Sequence, residues 1–249
     1  MRKIVAIGGG DIRRKGTLAI DREIIRLSGK KKPVLLFIPT ASSDSEEYWK
    51  SIQQYFGNYL GCNIDVLFLL KERPTILEIE HKMLSSDIIY VGGGNTLKMM
   101  RLWRRLGVDR ILKIAYENGI VLCGISAGSI CWFESGHSDS MSFYNPKRWK
   151  YINVRGLGFL KGIHCPHYNS KTLSVPRRKY FQNMISKMGG CGVAIEDNCA
   201  IEFVDGQYRV ITSKPSVGAY RVYKKRGAIL SEKIEQKPEF SSISALYRP

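Results

Sequence analysis

The sequence predicts an α/β fold built around a doubly wound, mostly parallel sheet. Three observations carry this prediction. Short apolar runs end in glycines or small residues, as "KIVAIGGG" does, and continuous apolar strands are typical of sheets covered on both faces. Segments with a helical spacing of apolar residues alternate with these runs. The length of 249 residues, with 44% hydrophobic residues, suffices for one sizeable core.

The first half of the chain alternates strands and helices. Strands are predicted in the apolar runs 3–10, 33–42, 62–70, 88–96 and 120–126. Helices are predicted in 18–30, 45–61, 75–87 and 96–119, and a further helix begins in 127–133. Ser45 is a suitable N-cap for the second helix because acidic residues follow it in the first turn. Strands connected by helices in this way run parallel, with right-handed crossovers.

The pattern changes after Phe133. Residues 134–158 are polar and contain glycines, so we expect an irregular segment. Residues 193–213 favour antiparallel strands that turn at Asp205 and Gly206, and 217–230 favour a second C-terminal hairpin. From about residue 231 the chain is polar, which predicts a loosely ordered tail over 231–249. Because no repeat or low-complexity linker interrupts the chain, residues 1–249 are expected to form one domain.

The chain carries 39 lysines and arginines against 22 acidic residues, a formal net charge of +17. These positive residues are dispersed, without zinc-finger spacing or interleaved aromatic residues, so we expect no specific nucleic-acid partner. No apolar run is long enough to cross a bilayer, and the N-terminal run lacks a signal-peptide cleavage site, so a cytoplasmic protein is predicted. Six cysteines without CxxC spacing indicate reduced thiols, and neither a metal nor another cofactor is expected.

The stretch "VLCGISAGSICW", residues 121–132, places Ser126 between a strand and a helix. Gly124 and Gly128 flank the serine with the G-x-S-x-G spacing of a nucleophile elbow. Such a turn is sharp, so bulky neighbours would clash, and it presents the hydroxyl at the carboxyl end of a strand. The backbone N–H of Ala127, at the start of the helix, is then placed to donate to an oxyanion. We interpret Ser126 as a candidate nucleophile.

A nucleophilic serine needs a base, and the chain has four histidines. His81 lies in a helical pattern between charged residues, and His137 follows the serine closely. His164 and His167 share the segment "GIHCPHYNS", in which Pro166 restrains the backbone before His167. We predict His167 as the base, with His164 as the second choice.

A carboxylate is expected to orient the imidazole of the base. Asp139 lies between the serine and His167 in the sequence, and we predict it as this third residue. Glu134 and Glu196 are the alternatives.

A second glycine cluster, "YVGGGNT" at residues 90–96, also ends a strand and precedes a helix. It lacks the lysine of a P-loop and the full G-x-G-x-x-G spacing, so a phosphate site is a weak interpretation. We expect instead that a backbone N–H of Gly93 or Gly94 faces Ser126 from a neighbouring strand end and acts as the second oxyanion donor.

Taken in order, "YVGGGNT", "GISAGSICWF", "GHSDS" and "GLGFLKGIHCPHYN" resemble the peptidase E family of serine peptidases, S51, which includes aspartyl dipeptidases and the more distant cyanophycinases. The resemblance extends from the first strand to "AIEDNCAIEFVDG". It implies a flavodoxin-like α/β sheet related to class I glutamine amidotransferase domains. It also implies a metal-independent serine hydrolase of short peptides with an N-terminal aspartate. Ser126 matches the family's nucleophile, His167 its base, and the glycines of "GGGN" its oxyanion loop.

The anionic side chain of such a substrate indicates where specificity would arise. A guanidinium binds a carboxylate through two hydrogen bonds, so Arg177 or Arg178 in "VPRRKYF" is expected to bind the aspartate, with Asn95 as a further substrate contact. The segment 134–160 is expected to close a narrow pocket that admits dipeptides. The expected partner is therefore a small peptide. We expect no interaction with a membrane, and homodimer formation is left as an open alternative.

Two other functions are compatible with these residues. An esterase or a cyanophycinase-like hydrolase would share the same serine. A non-catalytic protein that binds anions or nucleic acid would use the positive charge instead. It would show steep salt dependence of binding and no labelling of Ser126 by a fluorophosphonate.

Overall fold

The computed structural model describes residues 1–172 and 174–247. Its strands, in chain order, are β1 (Lys3–Ile7), β2 (Val34–Ile38), β3 (Asn63–Val66), β4 (Ile88–Val91), β5 (Val121–Ile125), β6 (Phe133–Ser138), β7 (Ile152–Arg155), β8 (Leu160–Cys165), β9 (Lys171–Thr172), β10 (Val175–Pro176), β11 (Cys191–Ile195), β12 (Cys199–Val204), β13 (Gln207–Thr212), β14 (Ala219–Lys225), β15 (Ala228–Lys233) and β16 (Ser241–Ser242). Its helices are α1 (Leu18–Leu27), α2 (Glu46–Ile52, continued by a π-helix over Gln53–Tyr59), α3 (Ile76–Leu84), α4 (Thr96–Leu106), α5 (Val108–Glu117), α6 (Ala127–Ile130), α7 (Arg177–Met188) and α8 (Ser244–Tyr247).

In this described part of the chain, one sheet has eight strands in the order β16-β13-β12-β1-β5-β4-β2-β3. The strands β1, β5, β4, β2 and β3 are parallel, and β12, β13 and β16 extend the sheet antiparallel from β1. The predicted α/β class with a mostly parallel sheet is therefore confirmed.

Both faces of the parallel strands are covered, which explains their continuous apolar sequences. In β1, Val5 and Ile7 face one side, where they share a cluster with Ile24 of α1. Ile4 faces the other side, in a cluster with Trp103 of α4. All five side chains are fully buried. Because the two faces are closed by helices, the chemistry of this sheet is confined to its strand ends.

The segment 134–158 contains β6 and β7, which corrects the expectation of an irregular segment. These strands belong to a second sheet with the order β15-β14-β11-β8-β6-β7. In that sheet β6, β8 and β11 are parallel, and α7 packs on it through Phe181 and Ile185. The sequence of β6 does not predict a strand because its buried residues include the polar His137 and Ser138. Ser138 Oγ donates to Thr96 Oγ1 at 3.1 Å, so this part of the interior is polar.

The C-terminal part consists of antiparallel pairs, β12 with β13 and β14 with β15. The former pair turns at Asp205 and Gly206, as the sequence predicts. Beyond residue 231, β16 pairs with β13, and Leu246 of α8 is fully buried. The described residues 231–247 are thus packed on the protein rather than loosely ordered, and residues 248 and 249 of the predicted tail lie outside the described residues. Among the helices described, none is both long and apolar enough to cross a membrane.

Candidate active site

Ser126 stands at the sharp turn between β5 and α6. Its φ of 56° and ψ of −111° are unusual for a residue with a side chain, and such backbone strain costs about 1–3 kcal/mol. Backbone hydrogen bonds hold the turn: Ser126 N–H donates to Ile7 O at 3.2 Å, and Ser126 O accepts from the amides of Ser129 and Ile130, each at 3.0 Å. The backbone itself therefore presents the hydroxyl at the end of β5, as a nucleophile elbow presents its serine.

The two flanking glycines are needed because α6 packs directly on the strands. A Cβ on Gly124 would lie 2.3 Å from Gly128 O, and a Cβ on Gly128 would lie 2.1 Å from Val91 O. Atoms at these distances overlap. A side chain at either position would push α6 away from the sheet and displace the serine turn.

His167 is brought to the same sheet edge by the end of β1. Its φ is 52°, and its N–H donates to Gly8 O at 3.0 Å, one residue after the carbonyl that binds Ser126. Gly9 leaves room for the imidazole, because a Cβ there would lie 2.3 Å from His167 Nδ1. Two consecutive carbonyl groups of one strand end therefore hold the serine and the histidine.

The carboxylate beside His167 is Asp197, which follows β11. Asp197 Oδ1 lies 2.6 Å from His167 Nδ1, and Asp197 N–H donates to Asn169 Oδ1 at 3.0 Å. Burial by itself would raise the pKa of Asp197. The hydrogen bond and charge of His167, with the charge of Arg177, outweigh burial and hold this pKa below its ordinary value. Asp197 is therefore ionised at neutral pH and engages Nδ1 of the imidazole.

The predicted acid, Asp139, does not contact His167. Its Oδ2 lies 3.9 Å from Arg177 Nη1, and the residue precedes a 3-10 turn. The side chain of Asp139 thus faces a buried guanidinium, which corrects the choice of carboxylate made from sequence order.

The two alternative acids also have other partners. Glu134 accepts a hydrogen bond from Gly162 N–H at 2.7 Å, and Glu196 accepts one from Gly218 N–H at 2.8 Å. Sequence reasoning missed Asp197, although this residue closely follows a buried strand, as the candidate serine does. That position after a strand is the signal that was available in the sequence.

His164, the alternative base, is a buried structural residue. Its Nε2 lies 2.8 Å from Ser129 Oγ and its Nδ1 lies 2.8 Å from Val193 O. Burial lowers the pKa of His164 to about 3, so the ring is neutral. Of the two histidines in this segment, His167 is the one that lies beside a carboxylate.

The second glycine cluster borders the serine. A Cβ on Gly93 would lie 3.4 Å from Ser126 Cβ. Gly94 has a φ of 137°, and a Cβ there would lie 2.2 Å from Ala41 O, so this turn requires glycine. Ala127 begins α6, and the first amides of a helix have no partner within the helix. Ala127 is therefore the first candidate for a backbone donor, and the Gly93–Gly94 turn is the neighbouring segment that offers a second.

A cavity of about 440 Å³ opens at this strand edge and reaches Ile125, the residue before the serine. Tyr48 lines this cavity. Burial raises the pKa of the Tyr48 hydroxyl to about 12, although a hydrogen bond from the Gly93 backbone favours the phenolate and acts in the opposite direction. Asp11 and Arg13, which form an ion pair at 3.2 Å, also line the cavity. The space next to the serine is thus polar and carries both signs of charge.

The three residues predicted to bind substrate differ in their surroundings. Asn95 is buried, and its Oδ1 caps α4 by accepting a backbone hydrogen bond at 3.0 Å. Arg177 is 4% exposed, and its Nη2 donates to His137 O at 2.8 Å. Arg178 is exposed and lines a different cavity with Asn169, in the loop that follows the candidate base. The structure thus gives Asn95 and Arg177 interior partners and leaves Arg178 at a surface beside the site.

The α/β fold brings a strained serine and an imidazole–carboxylate pair to the same strand end, and comparison with known proteins gives the family. The chain belongs to peptidase family S51, whose model matches residues 4–211. The resemblance to peptidase E inferred from the motifs is thereby confirmed, and the chain is a peptidase by family.

Two relatives and two solved structures show the extent of this similarity. The chain is 37% identical over 227 residues to the uncharacterized peptidase YgaJ of Bacillus subtilis, covering 89% of this chain and 92% of that protein. It is 26% identical over 165 residues to the uncharacterized peptidase Lmo0363 of Listeria monocytogenes, covering 66% and 76% of the two chains. A peptidase from an acI-B1 Actinobacterium shares the fold with a TM-score of 0.72, 19% identity and 97% coverage of both chains. A Listeria monocytogenes protein provisionally named peptidase E has a TM-score of 0.65 at 19% identity, covering 86% of this chain and 100% of that one.

Proposed function

We propose that the chain is a serine peptidase in which Ser126 is the nucleophile, His167 the general base and Asp197 the residue that orients the base. One observation carries this proposal: Ser126 and the His167–Asp197 pair are held by consecutive carbonyl groups at the end of β1. Family membership supplies the class of reaction, and the strained turn supplies a hydroxyl at the sheet edge.

In the proposed mechanism, His167 Nε2 takes the proton of Ser126 Oγ while that oxygen attacks the peptide carbonyl. Asp197 binds Nδ1–H, which selects the tautomer with a free Nε2 and stabilises the imidazolium. The amide of Ala127 is assigned to the oxyanion, with a second donor from the Gly93–Gly94 turn, and losing one such donor typically costs about 3–4 kcal/mol. The imidazolium then protonates the departing amine, and water releases the acyl group from the serine.

The proposed substrates are short peptides, above all dipeptides with an N-terminal aspartate. The cavity that reaches Ile125 offers Asp11 for the α-ammonium group of such a peptide and Arg13 for its side-chain carboxylate. Arg178, beside the loop that follows His167, is the second candidate for the carboxylate. The net charge of +17 favours the approach of anionic substrates.

Restriction to short substrates is assigned to this cavity rather than to a lid. The segment expected to close the pocket, 134–160, contributes β6 and β7 to the second sheet. A volume of about 440 Å³ is in the range of small-ligand sites, which is consistent with a dipeptide.

Hydrolysis of Asp-Leu, Glu-Leu and Ala-Leu by the wild type, Ser126→Ala and Ser186→Ala tests the proposal. Ser186 is exposed on α7 and serves as the matched control. We expect the wild type and the control to hydrolyse Asp-Leu fastest, and Ser126→Ala to lose at least about 10³-fold in kcat/KM. Full activity in Ser126→Ala would overturn the serine mechanism.

The substrate preference needs a separate comparison. If Arg13 or Arg178 binds the aspartate, its change to methionine should lower turnover of Asp-Leu much more than turnover of Ala-Leu. Equal rates on the three dipeptides in the wild type would overturn the preference. Cleavage of p-nitrophenyl acetate or of Asp-Arg polymers alone would favour the esterase or cyanophycinase-like alternative.

A further inference from the structure

A second cavity, of about 460 Å³, lies between the second sheet and α7. One wall is a face of α7, where Tyr180, Met184 and Lys187 follow one another at helical spacing. The other wall includes Trp149 and Tyr151, just before β7. These residues have no part in the proposed mechanism.

The walls of this cavity present flat aromatic surfaces. The rings of Trp149 and Tyr151 meet edge to face at 4.9 Å between centroids, and those of Tyr151 and Tyr180 are tilted at 5.2 Å. All three residues are half-buried, so part of each ring is open to the cavity. Planar aromatic groups stack favourably on such rings.

The rim of the cavity is positive. Lys150 and Lys187 are exposed there, and its lining within residues 1–172 and 174–247 includes no acidic side chain. Asn153 and Asn183 add neutral hydrogen-bonding groups. Two ammonium groups without a competing carboxylate favour an anionic occupant.

The interior end of the cavity carries an imidazole with an unused nitrogen. His137 lines the cavity and is fully buried, its Nδ1 lies 3.7 Å from Cys165 Sγ, and its Nε2 has no hydrogen-bond partner among the described residues. Burial raises the pKa of Cys165 to about 12 and lowers the pKa of His137 to about 2, so a protonated thiol can donate to a neutral Nδ1. Cys165 Sγ also donates to Pro166 O at 3.6 Å, so the thiol has a backbone acceptor of its own. The interior end of the cavity is therefore closed by a neutral imidazole, which stacks on Tyr151 at 4.0 Å between ring centroids.

We propose that this cavity binds a small aromatic anion, a planar ring that carries a carboxylate or a phosphate. The ring stacks on Trp149 and Tyr180, and the anionic group lies near Lys150 and Lys187. Carboxylates and phosphates share this recognition chemistry, so the test needs one probe of each kind.

Calorimetric titration of the full chain with indole-3-acetate and with adenosine 5′-monophosphate tests the proposal. Indole-3-acetamide and adenosine are the uncharged counterparts. We expect saturable 1:1 binding of one anion with a Kd below about 1 mM, and about tenfold weaker binding of its uncharged counterpart. The anion that binds distinguishes carboxylate from phosphate. Binding of neither anion, or equal binding of the uncharged counterpart, overturns the proposal.

Variants locate the binding site. Lys187→Met and Tyr180→Ala are each expected to weaken binding about three- to tenfold. Lys179→Met, which changes an exposed lysine on the same helix outside the cavity, should leave affinity unchanged. Ser126→Ala should bind like the wild type, which separates this site from the proposed catalytic function.

Three outcomes would contradict the assignment. If neither Lys187→Met nor Tyr180→Ala weakens binding, the ligand binds elsewhere on the protein. If Lys179→Met weakens binding as much as Lys187→Met does, the affinity depends on the net charge of the protein and not on this cavity. If the wild type is a dimer in sedimentation velocity and Met188→Asp is a monomer, a second copy of the chain covers the cavity.

Discussion

Asp197 Oδ1 lies 2.6 Å from His167 Nδ1, across 30 residues of sequence. The contact arises because β8 and β11 are parallel neighbours, with Cys165 opposite Ala194. Loops that leave the carboxyl ends of adjacent parallel strands meet at one sheet edge. The carboxylate that contacts His167 is therefore set by strand pairing and not by its order after the serine.

Asp197→Asn should lower kcat for a dipeptide substrate by about 10³–10⁴-fold. An amide at this position favours the imidazole tautomer with the proton on Nε2, which cannot accept the proton of the serine. Asp139→Asn is the matched control and should lower kcat less than about tenfold, since Asp139 faces Arg177. Steady-state kinetics, with circular dichroism to verify folding, decides between them. The reverse ranking of the two variants would restore Asp139 as the acid.

Gly9→Ala should lower kcat by about 10²-fold or more. The new Cβ would lie 1.9 Å from Asp197 Oδ1 and 2.3 Å from His167 Nδ1, so the pair must move, and displacements of about 1 Å can cost this much. Ser186→Ala, at an exposed position on α7, is the control and should keep full turnover. Unchanged turnover by a folded Gly9→Ala protein would show that the pair tolerates displacement.

Ser126→Gly should raise the free energy of unfolding by about 1 kcal/mol in urea denaturation. Glycine adopts a φ of 56° without the strain of a side chain, and this gain exceeds the added entropy of the unfolded chain. Ser126→Ala keeps the Cβ and should gain less. If the Ser126→Gly protein is no more stable than the Ser126→Ala protein, the serine turn stores no strain.

Asp21 should make stability fall as pH rises from about 4 to about 7. Asp21 is fully buried, its Oδ2 accepts from Thr17 and Tyr55 hydroxyls, and burial raises its pKa to about 7. The native state thus holds a proton that the unfolded chain releases near pH 4. Stability is lost as the pH rises through this window, by roughly 4 kcal/mol in total.

Urea denaturation of the wild type and Asp21→Asn between pH 4 and pH 8 measures this contribution. The asparagine variant does not titrate, so its stability relative to the wild type should improve steadily over the window. A difference between the two proteins that does not change with pH would show that Asp21 titrates normally.

Much of the parallel sheet is predictable because its signals are local. Val121–Ile125 is apolar throughout since both faces of β5 are covered. β6 shows no such signal, because the polar side chains of His137 and Ser138 are buried through hydrogen bonds and ring contacts with distant segments. A strand whose buried side chains are paired through non-local polar contacts is not visible in the periodicity of the sequence.

The residues of the candidate site also differ in whether their signal is local in the sequence or depends on contacts with distant segments. Ser126 is recognisable because its turn depends on the sterics of neighbouring glycines. Asp197 is not, because its partner His167 lies in the loop that follows a different strand, β8, of the second sheet. Arg177 has the side chain expected for binding a carboxylate, but its burial against His137 becomes visible only in the folded chain.

Labelling with a fluorophosphonate, followed by peptide mapping, tests most directly whether Ser126 is an activated nucleophile. We expect the label on Ser126, at least about 10²-fold slower labelling in His167→Ala, and no label on Ser126→Ala. A folded wild-type protein that takes up no label, or takes it up at another residue, would contradict the proposed catalytic site.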